Sequence, residues 1–353
     1  MSTLDKRERV RRTLALESVD RPPVTLWWHE FLAEWDLRAL EDATVASYRR
    51  FDWDLVKLNP RGTYFAEAWG AAFEPPTAEA FPRQLVAPVR ASAVLGEIEP
   101  VDPTGGVLGE HLELLARVVG RVGSEVDVIH TVFSPLGILG MLCGPPDGTA
   151  APKDAVQAFG EGQRTLLMLA EAAPAAVHRA LSVICDTIAA YSEAAVACGA
   201  AGLFYAPMTW TSRRVCSETF YAEFGRPYDL AILARVQRAP CNVLHVCGND
   251  NMLDSMLDYP VPVVNWADDG VGNASLADVL VRSPGKAVMG GADPAATRRA
   301  TADEARTRMA TKLARDTRGL FVGGGCAMWP GTPHENFAAI REAVREARTT
   351  PHR

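Results

Sequence analysis

Eight short runs rich in apolar and β-branched residues recur along this chain, with helix-patterned segments between them. They are VTLWW (24–28), DLVKLN (54–59), DVIHTVF (127–133), GLFYAP (202–207), NVLHVC (242–247), PVVNWA (262–267), AVMGG (287–291) and GLFVGG (319–324). Near-continuous apolar runs suit strands that are buried on both faces, as in parallel sheets. Eight of them alternating with helices predict an α/β chain closed into a (β/α)8 TIM barrel. Helical periodicity is read at 4–16, 43–50, 106–122, 155–199 with a break near Pro174, 216–237, 251–257, 276–281 and 301–316, and Ser134-Pro135 opens a further helix. The first of these is an N-terminal helical extension, and the Pro-rich stretch 64–103 is a small β-excursion after the second strand. No internal repeat or linker divides the chain, so residues 1–353 are expected to form a single domain.

Composition narrows the function classes. The 353 residues are 48% hydrophobic and 22% charged, with a formal net charge of −7, enough to bury a sizeable core. Without a Lys/Arg-rich block, nucleic acid is not an expected partner. The charged N-terminus lacks an apolar signal region and no run of about 18 apolar residues is read, so neither a membrane nor export is expected and the location is taken as cytoplasmic. Seven scattered cysteines suit reduced thiols better than a disulfide framework.

In such a barrel the C-terminal ends of the strands form the active face. The residues there include His29 and Glu30, Asn59, Ser134, Met208 to Trp210, His245 with Cys247, Asp268 with Asp269, Asp293 and Cys326. In NVLHVCGN, His245 and Cys247 are two apart and share a strand face. With Cys326 from GGGCAMWPGTPHEN they supply the N/S donors that Zn2+ prefers, and three protein ligands leave a fourth position for substrate. Cys143, Cys185, Cys198, Cys216 and Cys241 show no ligand spacing and are read as packing residues.

RERVRRTLALESVDRPPV, LHVCGN, VMGGADP and GGGCAMWPGTPHENFAAI, in this order, resemble the uroporphyrinogen decarboxylase superfamily over most of the chain. The His-x-Cys and the late Cys are similar to the zinc motif of its methylcobamide:thiol (coenzyme M) methyltransferase branch. That resemblance implies a TIM barrel and a zinc-dependent methyltransferase that activates a thiol as a zinc thiolate, with His245, Cys247 and Cys326 as the metal ligands. It implies a small-molecule thiol and a methyl donor as partners, the donor in that branch being a corrinoid (methylcobamide), free or on a corrinoid protein, while the residues themselves leave methyltetrahydrofolate and a small methylated compound open as donors. The decarboxylase branch has an arginine-rich segment after the first strand, whereas LWWHEFLAEW stands here. The alternatives are a metal-independent lyase on the same fold and a non-catalytic zinc- or corrinoid-binding module.

Around the three ligands, each further residue carries two readings. Glu30 is a fourth ligand or a base for the thiol, or a solvated loop carboxylate, and His29 is weighed alongside it at the substrate site. Asp268 and Asp269 orient His245 or bind substrate, or make an Asp-Asp-Gly turn. Tyr205, Trp210 and Trp266 wall a substrate pocket or are plain core, and Asp293 of Gly-Ala-Asp-Pro is placed at the pocket lining. His334 starts the last helix. Gly323 to Gly325 permit close backbone approach beside Cys326 or, less specifically, suggest phosphate binding.

Overall fold

The computed structural model describes residues 3–78, 80–144, 153–314 and 317–347. Eight parallel strands form one sheet: β1 Val24–Thr25, β2 Leu55–Leu58, β3 Asp127–Phe133, β4 Gly202–Ala206, β5 Val243–Val246, β6 Val263–Trp266, β7 Ala287–Ala292 and β8 Leu320–Gly324. They follow each other in chain order around the sheet, and β1 returns to pair with β8. At the β1/β2 seam Asp54 N donates to Val24 O at 2.9 Å and the Asp54 carboxylate accepts from Val24 N at 2.9 Å. Arg9 and Arg21 hold the same carboxylate. The basic N-terminal motif is therefore spent on closing a (β/α)8 barrel, which is the fold the sequence pattern predicts.

Alternation along each strand separates two cores. Leu55, Ile129, Phe204, Val243, Val263, Ala287 and Phe321 pack inside the barrel, with Val10 of the helix Lys6–Leu14 among them. Their neighbours Val56, Val128, Leu203, Leu244, Val264 and Val288 pack outward against the helices.

Several boundaries differ from the sequence reading for local reasons. The first strand is only two residues long, and its continuation reaches the last strand through an isolated bridge from Trp28 to Met328. The second helix begins at Leu37 because Asp36 caps it, accepting from Arg38 N and Ala39 N. The helix read over 216–237 is two, Glu218–Phe224 and Arg226–Arg235, divided at Gly225 with Pro227 in the first turn of the second. Residues 251–257 give only the 3-10 turn Leu253–Met256. The end expected at Asp316 lies outside the described residues, as do the chain ends 1–2 and 348–353 of the expected domain. The excursion is a three-stranded antiparallel sheet, Ala72–Glu74, Arg83–Val86 and Lys153–Asp154. Its third strand arrives from beyond β3, so the excursion is larger than the 64–103 expected.

The helix Pro174–Ala197 is not an uninterrupted apolar run, since Arg179, Asp186 and Glu193 fall within it. It is long and apolar enough to cross a membrane, but 56% of its apolar window is buried inside the protein. Val177, Leu181, Ile184 and Ile188 belong to the core between strands and helices.

Candidate functional site

Inward parity on β5 carries His245 to the barrel mouth above Val243, and Cys247 follows on the same face. Gly248, at φ +92°, then turns the chain in a conformation that suits glycine. The carbonyl of Cys247 accepts from Thr211 Oγ1 at 3.1 Å, which fixes this end. Cys326 follows β8 through Gly325, where an added Cβ would lie 2.7 Å from the Ala267 Cα. Close approach of two backbones therefore accounts for this glycine. The ligand atoms of His245, Cys247 and Cys326 lie within 4.8 Å of one another, the one such group of three among the described residues.

His245 Nδ1 lies 2.6 Å from Asn265 Oδ1. Asn265 Nδ2 donates to Met289 O and Gly324 O, each at 2.9 Å. The amide is thereby oriented, its oxygen accepts the Nδ1 proton, and the Nε2 lone pair of His245 is left for a metal. Cys326 is held well below the ordinary thiol range by its hydrogen bond from Cys247 and, next, by His245, against the opposing effect of burial. Cys247 is correspondingly raised. The pair thus shares its proton with thiolate character on Cys326, and its titration belongs to both sulfurs. An oriented imidazole and a thiolate-forming pair fit zinc by donor type.

The three groups open on a cavity of about 280 Å³. Trp27, Phe31, Phe81, Phe133, Phe159 and Phe204 supply much of its wall, and the Phe204 ring stacks on His245 at 5.2 Å. His29 lines the cavity, stacked on Phe31 at 4.9 Å, with Nδ1 2.7 Å from Oε1 of the buried Glu34. Lys57 also lines it, reaching inward from β2. Its burial pushes its pKa down to about 7, opposed by the charges of Cys326 and Glu34.

Of the residues named from the sequence, His29, Asn59, Met208, Thr209, His245, Cys247 and Cys326 line this cavity. The others are placed elsewhere. Glu30 turns into a neighbouring crevice and accepts from Trp28 Nε1 at 2.7 Å. Asp268 accepts from Gly291 N at 2.9 Å and pairs with Lys312 Nζ at 2.7 Å, so it ties strand ends together while Asn265 orients His245. Asp293 caps the helix Pro294–Arg299 by accepting from Ala296 N. Tyr205 and Trp266 have the outward parity: Tyr205 donates to Asp229 at 2.7 Å and Trp266 Nε1 to Ala274 O at 2.8 Å. Trp210 is fully buried against Phe220.

Lys57, Asn265, Glu34 and Phe204 were missed. A lone lysine in DLVKLN and a lone amide in PVVNWA were the available signals, since a buried strand seldom carries either without a partner. Cys185, Cys216 and Cys241 are buried, and burial pushes each thiol up to about 12. His334 does start the last helix, His334–Glu346.

Fold and site together define a (β/α)8 barrel with an imidazole and two thiols converging at an aromatic-lined mouth. The sequence profile of uroporphyrinogen decarboxylase (URO-D) matches residues 5–347, and the chain belongs to that family. A curated relative named uroporphyrinogen decarboxylase, from Acidovorax sp. (strain JS42), is 27% identical over 190 residues, which cover 48% of this chain and 50% of the relative. The match thus spans half the length of that relative. Among solved structures, a methyltransferase from Methanosarcina mazei aligns over 97% of this chain and 99% of its own, with a TM-score of 0.75 and 18% identity. A B12-independent methionine synthase from Shewanella sp. W3-18-1 aligns over 93% and 94%, with a TM-score of 0.54 and 15% identity. At such identities these two likenesses establish the shared barrel.

Proposed function

We propose that this protein is a zinc-dependent methyltransferase with a thiol as methyl acceptor. The observation that carries the reading is the convergence of His245, Cys247 and Cys326 on one point of a cavity mouth. These three residues would hold the metal, which when bound supplies a Lewis acid that favours the deprotonated form of an incoming thiol.

The remaining roles fall to the chain. In the net reaction the thiol sulfur forms a bond to the methyl carbon, the bond from that carbon to its leaving group breaks with its electron pair, and the thiol proton must be taken up. His29 is suited to take it: Glu34 accepts from Nδ1–H, which leaves Nε2 as the basic nitrogen. The aromatic wall excludes water and confines the acceptor, and orientation of this kind supplies as much as about 7 to 11 kcal/mol of barrier lowering. A cavity of about 280 Å³ admits a small thiol but does not enclose a corrin ring. A methylcorrinoid, free or on a corrinoid protein, would therefore present its methyl group from outside the mouth.

The test is methyl transfer from methylcobalamin to a panel of thiols, followed by mass spectrometry of the S-methyl product. Zinc-loaded protein should form it, chelator-stripped protein should not, and added zinc should restore it. Product formation that is indifferent to metal, or none from any corrinoid or folate donor, would remove the reading.

A further inference from the structure

Four described residues other than glycine have a positive φ: Leu16, Asp52, Met208 and Asp250. Leu16 follows the end of the helix Lys6–Leu14 and Asp52 caps the helix Leu37–Phe51, where a left-handed residue closes the last turn. Asp250 is of a type whose short polar side chain tolerates this region. Neither reason applies to Met208, which stands at φ +59° just beyond β4 and lines the same cavity as Cys247. A long side chain on such a backbone is strained, and the strain persists only where neighbours fix it. Here they do. The Thr211 hydroxyl lies 3.2 Å from Met208 O and 3.1 Å from Cys247 O, and Thr209 Oγ1 accepts from Gln163 Nε2 at 3.0 Å. On its far side the thioether meets Gly137 of the helix Pro135–Leu142, where an added Cβ would lie 3.0 Å from Met208 Sδ. Alanine is the better helix former, so glycine at this position makes room for the sulfur.

We propose that Met208 is a specificity-determining residue whose thioether, aimed by its left-handed backbone, acts as the stop that limits how large a methyl acceptor the cavity admits. The inference deepens the thiol-acceptor reading and rests on it. Met208 lines the cavity and Gly137 does not, so the thioether stands between the cavity and the helix Pro135–Leu142. Methionine is otherwise an adaptable side chain, but this one has a helix backbone behind it. The Thr211 hydroxyl joins Met208 O to Cys247 O. The distance from the thiol-binding position to the stop is therefore built into the backbone instead of being left to a rotamer.

The experiment titrates ethanethiol, butanethiol and hexanethiol into zinc-loaded wild type, Met208→Ala, Met208→Leu and Gly137→Ala by calorimetry. In wild type the gain in affinity with chain length should stop within the series. Met208→Ala should bind the first thiol beyond that limit at least about tenfold tighter than wild type does, and Met208→Leu should keep the limit. Gly137→Ala, which drives the thioether into the cavity, should move the limit to a shorter chain. A limit shared by wild type and Met208→Ala, or an equal change for every thiol, would overturn the stop while leaving the thiol reading intact. Met208→Gly removes the strain together with the side chain, so it should unfold at a higher urea concentration than Met208→Ala; a lower midpoint counts against a strained stop. Toluene, propylbenzene and pentylbenzene, titrated into metal-free protein, separate the two failures. A size limit that moves in Met208→Ala supports the stop even if no thiol is methylated, and a limit that stays, or no binding in wild type, counts against it.

Discussion

Asn265 Oδ1 and His245 Nδ1 meet at 2.6 Å across paired positions of β5 and β6, and the other end of the amide is tied to two backbone carbonyls. This contact decides which imidazole nitrogen carries the proton. Partners of this kind are typically worth about 10 to 100-fold in metal affinity. Asn265→Ala should therefore weaken zinc binding by about that factor in a chelator competition. Unchanged affinity would mean that His245 does not bind the metal through Nε2.

Removing a ligand should empty the site without unfolding the barrel. Cys247→Ala or Cys326→Ala leaves both hydrophobic cores in place, and a chain of this size does not need a metal to be stable. Zinc content should fall well below one equivalent with the circular dichroism spectrum kept. Outright unfolding of either variant would make the centre structural.

The strands and the convergence of His245, Cys247 and Cys326 were legible because each has a local signature: apolar runs between helices, and a His-x-Cys spacing with one inward parity. The wall was not. Phe204 and Tyr205 are adjacent aromatics on β4, and nothing in GLFYAP says which faces in; the register with β3 and β5 decides it. Residue type points to Trp266, but the amide beside it, Asn265, has the inward parity. Asp293 caps a helix, and Asp-Pro at a helix start is itself a capping signal rather than a mark of a pocket residue. Glu34 and His29 come together through a turn that no periodicity predicts.

Substrate charge gives a prediction about the family's named activity. Among the described residues the cavity wall holds one lysine and no arginine, while Arg61 is committed to Glu67 at 2.7 Å. Several carboxylates entering this mouth would be desolvated without bidentate partners. Incubation with uroporphyrinogen should yield no coproporphyrinogen at an enzymatic rate, and its appearance would overturn the choice of a methyl-transfer chemistry.

Tyr205, placed outside the barrel, belongs to a network that predicts a pH response. Tyr205, Tyr221 and Tyr259 all donate to the fully buried Asp229. Burial raises its pKa from 3.8 to about 6, against the lowering effect of these hydrogen bonds. Between those values the folded state binds more protons than the unfolded one, so this contribution to stability falls as pH rises through the window. Asp229→Asn removes that titration. The stability difference between wild type and variant, from urea unfolding, should therefore shift against wild type between pH 4 and pH 6 and level off above it. A difference independent of pH would show that Asp229 titrates at its ordinary value.

The last prediction concerns the proton of the acceptor thiol. His29 and Glu34 sit 2.7 Å apart on the wall of the cavity that His245, Cys247 and Cys326 open into, whereas Glu30 is turned away toward Trp28. If His29 takes the proton, thiol binding to zinc-loaded wild type near neutral pH should release well under one proton to solvent. His29→Gln should release close to one, because a coordinating thiol is deprotonated whether or not a base is present. Calorimetry in two buffers of different ionisation enthalpy reads that number directly. Loss of the base should also slow methyl transfer by about 10² to 10⁴-fold, with partial rescue by added imidazole, while Glu30→Gln should leave the proton count unchanged. Equal proton release from wild type and His29→Gln would show that the thiol gives its proton to water, and His29 would then be only part of the aromatic wall.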